Sequence, residues 1–162
     1  MTELTAERLR ELLDYDRETG VFRWKVRRSP GTKAGDIAGT VLKMGYRKIS
    51  INDRRYAAHR LAWLYVHGHW PIDQIDHKNT DRGDNRFDNL REATPSINSQ
   101  NKRRAMPNSK TGVLGVSPSR GKFIVGIRID GKKRNLGRYA TVEAAYDVYL
   151  EAKRRFHPGC TL

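Results

Sequence analysis

The sequence predicts an α+β protein with a mixed N-terminal lobe, a compact ββα unit in the middle and a C-terminal three-stranded antiparallel sheet packed on one helix. Three observations predict it. Short apolar stretches at strand spacing alternate with short stretches at helical spacing along all 162 residues. Turn residues punctuate them at Gly20, Asn52-Asp53, Gly68, Arg120-Gly121 and Asp130-Gly131. No apolar run approaches about 18 residues, which excludes a membrane-spanning helix.

Taken in order, Thr5 to Leu13 reads as a helix with Thr5 as N-cap and Leu9, Leu12 and Leu13 on one face. Val21, Phe22, Trp24 and Val26 suit a strand. Ser29 to Gly39 is a glycine-rich loop. Val41 to Ile51 alternates loosely and turns at Asn52-Asp53, so a hairpin is expected. Tyr56 to Val66 switches to helical spacing and ends at Gly68 and Pro71. Ile72 to Asp76 reads as a strand, Lys78 to Arg86 as a polar loop, and Phe87 to Leu90 as a second short strand. Thr94-Pro95 opens a helix that runs to about Lys102. KRRAMPNSKTG (102–112) lacks apolar periodicity and reads as a linker; about ten extended residues reach roughly 30 Å. Val113 to Val116, Phe123 to Ile129 and Lys133 to Leu136 are expected strands. Thr141 to Phe156 is an amphipathic helix with Val142, Ala145, Tyr146, Tyr149 and Ala152 inward.

Charge narrows the function. The net charge is +14, which points to a polyanion partner, most simply nucleic acid. It is unevenly spread. Residues 102–139 hold 11 basic residues and one acidic, whereas residues 59–101 hold five basic and six acidic. A surface that grips phosphates wants cations, while a site for a divalent ion wants carboxylate and amide oxygens. Cys160 is the only cysteine, which excludes an internal disulfide framework and any multi-thiolate zinc site. The opening residues, MTELTAERLRELLDYD, carry no apolar core of a secretory leader, so an intracellular, cytoplasmic protein is expected.

The segment IDHKNTDRGDNRFDNLREATPSINSQN (75–101) carries the strongest chemical signal. Adjacent Asp76 and His77 close a strand, Asn89 follows a loop, and Asn98 lies on the next helix. Neighbours on a strand point to opposite faces, so the pair serves one site only where the strand ends or bends. Phosphodiester cleavage needs a base for water, which a neutral imidazole near pH 7 provides. Taken singly, His77 would be a loop histidine, and Asp76, Asn89 and Asn98 a turn residue and two amides; the combination points to a nuclease site. His59 reads as structural, and His67 and His69 carry no assigned role.

HRLAW (59–63), IDH (75–77), DNLR (88–91) and Thr94 through Asn98 resemble the HNH endonuclease family, in its branch with Asp and Asn ligands. The resemblance implies a ββα-metal fold, with Asp76 and Asn98 as ligands of one divalent cation and His77 as general base. It implies that Asn89 fixes the loop backbone and orients that base. Asn98 stands where a final His is common, which favours Mg²⁺ or Mn²⁺ over zinc. The C-terminal pieces GVLGVS (112–117), GKF (121–123), IR (127–128), LGRY (136–139) and EAAYDVY (143–149) resemble an AP2-like DNA-binding domain. One helix covers one sheet face; Ser117, Arg120, Lys122, Arg128, Lys132, Lys133 and Arg134 are the expected DNA contacts on the other. Arg128 and Arg134 are the guanine readers, since a guanidinium donates twice, and Lys132 and Lys133 touch phosphate.

The expected organisation is therefore an accessory region at 1–58, a nuclease domain at 59–101, a basic linker at 102–111 and an AP2-like domain at 112–158. The expected function is metal-dependent hydrolysis of double-stranded DNA to 5′-phosphate and 3′-hydroxyl ends, by a monomer that nicks or a homodimer that cuts both strands. Such domain pairs resemble phage-encoded and homing-type proteins, which implies action inside a bacterial host. A non-catalytic DNA-binding regulator on a nuclease-derived scaffold is the alternative, and an RNA-directed nuclease a third.

Overall fold

A computed structural model describes residues 3–161. It divides into two compact units, one through Thr94 and one from Pro95.

In the first unit, Thr5 caps α1 (Ala6–Leu12) by accepting from the Arg8 N–H through Oγ1 at 3.2 Å. The chain runs straight from α1 into β1 (Leu13–Tyr15), which pairs antiparallel with β2 (Phe22–Trp24). The sequence gives no separate signal for β1, because Leu12 and Leu13 extend the apolar face of the helix. Its identity depends on β2 lying opposite. A second antiparallel sheet has the order β3 (Thr40–Val41), β4 (Arg47–Ile51), β5 (Arg54–Ala57). Asn52 and Asp53 make its tight turn, both at positive φ (49° and 61°), the geometry that short polar side chains tolerate.

Helix α2 (Ala58–His67) follows and stops at Gly68, whose φ of 81° is left-handed. Strand β6 (Gln74–His77) starts two residues later than expected. Ile72 is 93% exposed, and the Asp73 N–H goes to the Glu92 carboxylate instead of a ladder. The expected strand Phe87 to Leu90 is instead one 3₁₀ turn (Phe87–Asn89), and the strand partner of β6 is β7 (Leu90–Ala93). The Phe87 N–H is drawn to the Arg17 carbonyl at 3.0 Å, which bends the chain away from a ladder. One core joins Leu9, Leu13, Phe22, Ile49, Ile51, Leu61, Leu64 and Leu90. The first 58 residues therefore share their interior with α2 and β7 instead of enclosing one of their own.

The second unit begins with α3 (Pro95–Gln100), followed by β8 (Val116–Ser119), β9 (Lys122–Ile129) and β10 (Lys132–Tyr139), in the order β10-β9-β8. Both hairpin turns use two positive-φ residues, Arg120-Gly121 and Asp130-Gly131. Helix α4 (Val142–Phe156), capped by Thr141, packs Ala145, Tyr149 and Ala152 on Val116, Val125 and Ile127. The start of the basic connecting segment is tied down: buried Lys153 donates to the Lys102 carbonyl, and Arg103 reaches the Thr161 carbonyl at 2.8 Å.

Gly115 makes a specific demand on this packing. It sits at φ 72°, and a Cβ there would overlap the Tyr149 ring; Gly112, at φ 73°, has open space. Gly112→Ala meets only the left-handed backbone cost of about 1–2 kcal/mol. Gly115→Ala meets that cost and also displaces a core ring, so its denaturation midpoint in the full chain falls clearly below that of Gly112→Ala.

Candidate functional site

Strand β6 carries Ile75, Asp76 and His77 into the interior, all three buried. Register opposes Asp76 to Arg91 and His77 to Leu90 on β7. Arg91 donates to Asp76 Oδ2 through Nε at 3.0 Å and through a terminal nitrogen at 2.8 Å. Charge-assisted contacts of this kind fix a carboxylate in place.

His77 lies at the end of β6, where the ladder gives way to the loop 78–86. Its ring centroid is 5.1 Å from that of His59 on α2 and 6.0 Å from that of Tyr46. Its Nε2 is 3.3 Å from Oδ1 of Asn85, whose Nδ2 donates to the Gly83 carbonyl at 3.1 Å. Burial pushes the His77 pKa below the usual imidazole range, with the Asn85 contact and nearby carboxylates opposing it. Burial, reinforced by His77 and Arg60, pushes His59 down to about 4. His59 Nδ1 is buried without a hydrogen-bond partner among the described residues.

Asn89 spans the loop. Its Oδ1 accepts from the Asn79 N–H at 3.0 Å, and its Nδ2 donates to the Asp84 carbonyl at 2.8 Å. Asp84 in turn accepts from Asn79 Nδ2 at 2.7 Å and from the Arg86 guanidinium at 2.9 and 2.7 Å. The Arg86 contact holds its carboxyl down to about 2. By the family resemblance, Asn89 is expected to serve both the loop backbone and the base. In the structure Asn89 holds the backbone, and the amide meeting His77 Nε2 belongs to Asn85. Asn85 escaped the sequence reading because a polar loop with several Asn and Asp residues does not say which of them points inward. Asn98 lies half-buried on α3, in the second unit.

The seven expected DNA contacts of the second unit are all exposed. Strand register divides them. Val125 and Ile127 of β9 face α4, so Lys122 and Arg128 face away, with Ser117 opposite Ile124 and Lys133 opposite Arg128. Arg134 pairs with Ile127 and Lys132 with Ile129. The expectation that Lys132 and Arg134 share the open face with Arg128 is therefore corrected. They project from an edge strand on the helix side, where they run past the helix into solvent. Arg120 sits in the turn. Asn135, opposite Gly126, and Arg138, opposite Ile124, belong to the open face and were missed. A bulge between Asn135 and Gly137 shifts the alternation there, which no reading of period two anticipates. Gly126 leaves room for the Lys133 stem, which a Cβ would meet at 3.3 Å.

Residues 56–100 match the family model described as HNH endonuclease. Over these residues the chain is similar to HNH endonucleases. A solved structure, described as DNA binding and cleavage by the HNH homing endonuclease I-HmuI, is similar at 18% identity and a TM-score of 0.40, over 91% of this chain and 88% of that one. A comparison with curated proteins returned no match.

The depressed His59 gives a pH prediction. The unfolded imidazole titrates near 6.5 and the folded one at about 4, so below 6.5 the unfolded state binds the proton first. Stability contributed by neutral His59 is complete above 6.5 and drains as the pH falls toward 4. Between pH 7 and 5 the loss is about 2 kcal/mol. His59→Phe, which keeps a ring and cannot titrate, flattens that part of a stability profile measured by urea denaturation.

Proposed function

We propose that the protein is a metal-dependent endonuclease acting on double-stranded DNA, with His77 as general base. The observation that carries this reading is a buried imidazole at a strand end, beside a buried carboxylate, inside the segment that matches the nuclease family. Burial favours the uncharged ring that a base needs. The proton of an attacking water passes to His77, the water oxygen bonds to phosphorus, and the bond from phosphorus to the 3′ oxygen breaks, the leaving oxygen taking a proton from solvent water. The products carry 5′-phosphate and 3′-hydroxyl ends.

The donor chemistry fits a hard divalent cation. Asp76 offers a buried carboxylate held in place by Arg91. Among the described residues no cluster of three or more His, Cys, Asp or Glu could hold a metal. A carboxylate and an amide are oxygen donors, which suit a hard ion that completes its shell with water and phosphate, as Mg²⁺ and Mn²⁺ do. Asp76 and, by the sequence resemblance, Asn98 are the proposed ligands. When bound, such an ion neutralises phosphate charge and stabilises the leaving oxygen.

We assign DNA targeting to the open face of the β8–β10 sheet, in the manner of an AP2-like domain. Lys122, Arg128, Lys133 and Arg138 present four cations there with Ser117 and Asn135 between them, and no carboxylate lies on that face. Guanidinium groups on a flat strand face suit guanine edges in a major groove, and lysines suit phosphate. Among the described residues no helix is long and apolar enough to cross a membrane.

Supercoiled plasmid incubated with Mg²⁺ or Mn²⁺ tests the catalytic reading. Metal-dependent nicking is the expected result, and His77→Ala lowers its rate by about 10²–10⁴-fold while plasmid binding persists. Asp76→Ala and Asn98→Ala each raise the cation concentration needed for half-maximal rate. Tight binding with no cleavage under either metal would favour the regulator reading instead. For targeting, the salt dependence of binding to a short duplex is the measurement. Lys133→Ala lowers the magnitude of the slope by about one phosphate contact, and Lys132→Ala, on the opposite face, changes it less.

A further inference from the structure

We propose that Asn85 is a positioning residue for His77, and that the hairpin β1–β2, some 70 residues earlier in the chain, holds Asn85 in position. The N-terminal segment would then be part of the catalytic apparatus and not only packing. The proposal rests on the reading of His77 as base and adds to it the atom that takes the proton and the structure that aims it.

The first observation is the orientation of the amide. Asn85 is 2% exposed, and its Nδ2 donates to the Gly83 carbonyl at 3.1 Å. A carbonyl can only accept, so that contact fixes which end of the amide is nitrogen. Oδ1 is the end that faces His77 Nε2 at 3.3 Å. An amide oxygen needs a donor, so Nε2 carries the ring proton and Nδ1 is the ring's acceptor nitrogen. Torsion about the Cβ–Cγ bond of a histidine is otherwise broad. Tethering one ring nitrogen narrows it and so fixes the direction of the other.

The second observation is how Asn85 is itself held. Its carbonyl accepts the buried Tyr15 hydroxyl at 2.7 Å. Tyr15 is stacked on Phe22 at 4.5 Å between ring centroids, so its hydroxyl has little freedom to leave. Gly20, in the β1–β2 turn at φ 72°, lies so close that a Cβ would overlap the Asn85 carbonyl carbon and the Arg86 nitrogen. The Phe87 N–H donates to the Arg17 carbonyl at 3.0 Å. Residues 15 to 20 thus grip Asn85 through Phe87 at three points. The stretch has no ladder of its own to keep it there. Burial of the Tyr15 phenol raises its pKa far above the ordinary value, which keeps it a donor at any working pH.

The test uses the full chain, supercoiled plasmid and Mn²⁺ at pH 8. Asn85→Leu keeps the size of the side chain and removes the acceptor. Asn85→Asp keeps an acceptor oxygen. Tyr15→Phe removes one hydroxyl from a residue that does not touch His77. The expected results are a 10- to 100-fold lower kcat for Asn85→Leu with KM for plasmid unchanged, recovery of most of that loss in Asn85→Asp, and a 3- to 10-fold lower kcat for Tyr15→Phe. In wild-type protein carrying ¹⁵N-labelled histidine, His77 shows the Nε2–H tautomer with a slowly exchanging ring proton, and Asn85→Leu loses that protection. An unchanged kcat in both Asn85→Leu and Tyr15→Phe, alongside a slow His77→Ala, overturns the positioning while leaving the base reading intact. A His77→Ala protein that cuts at the wild-type rate removes the base reading and the positioning with it. A predominant Nδ1–H tautomer overturns the proposal as well. Should Asn85→Leu fail to fold, Tyr15→Phe and the wild-type tautomer decide the matter alone.

Discussion

Between β6 and β7 the chain must leave a ladder beside a buried imidazole and return, with only one 3₁₀ turn of regular structure on the way. Ordering each such residue costs about 1–2 kcal/mol of backbone entropy. A single hydrogen bond returns only about 1 kcal/mol. The loop is held because side chains replace the missing ladder in dense succession. Asn79 accepts from the Asp81 N–H, Asp81 from Gly83, and Asp84 from Arg86, while Asn89 closes the loop from the far side. These are Asx-type bonds, available to short side chains with an oxygen near the backbone. This explains why the segment is rich in Asn and Asp although few of those residues touch the chemistry.

The two units meet opposite electrostatic demands. Near His77, Asp76 is paired with Arg91 and Asp84 with Arg86. Burial, against the pull of those carboxylates, favours the neutral imidazole. On the β8–β10 sheet the open face carries cations without counter-ions, which suits attraction of a polyanion from a distance. In the sequence, residues 102–139 carry 11 basic residues and one acidic, against five and six in 59–101.

Much of the first unit was legible in the sequence because its signals are local. Thr5 as a cap, Asn52-Asp53 as a turn and Gly68 as a helix stop act within a few residues, and each stands where the sequence puts it. Asp76, His77 and Asn89 could be singled out because their spacing is fixed by one short motif. Strand β1 and the 3₁₀ turn at Phe87 could not, because the groups that define them, Phe22 to Trp24 and the Arg17 carbonyl, lie elsewhere in the chain. Asn85 belongs to the same class. Its partners Tyr15 and Gly20 are neighbours only after folding.

The sequence by itself determined which chemical groups gather in residues 75–101, and which segment is the most basic. Composition and short-range spacing carry that information, and both survive unfolding. Only the tertiary structure decided which amide turns toward His77, and which of the cations at 128 to 138 share a face. Those outcomes depend on hydrogen-bond direction in a buried space and on a register set by a bulge. Neither has a local sequence signature, because each arises from two stretches of chain meeting at a particular offset.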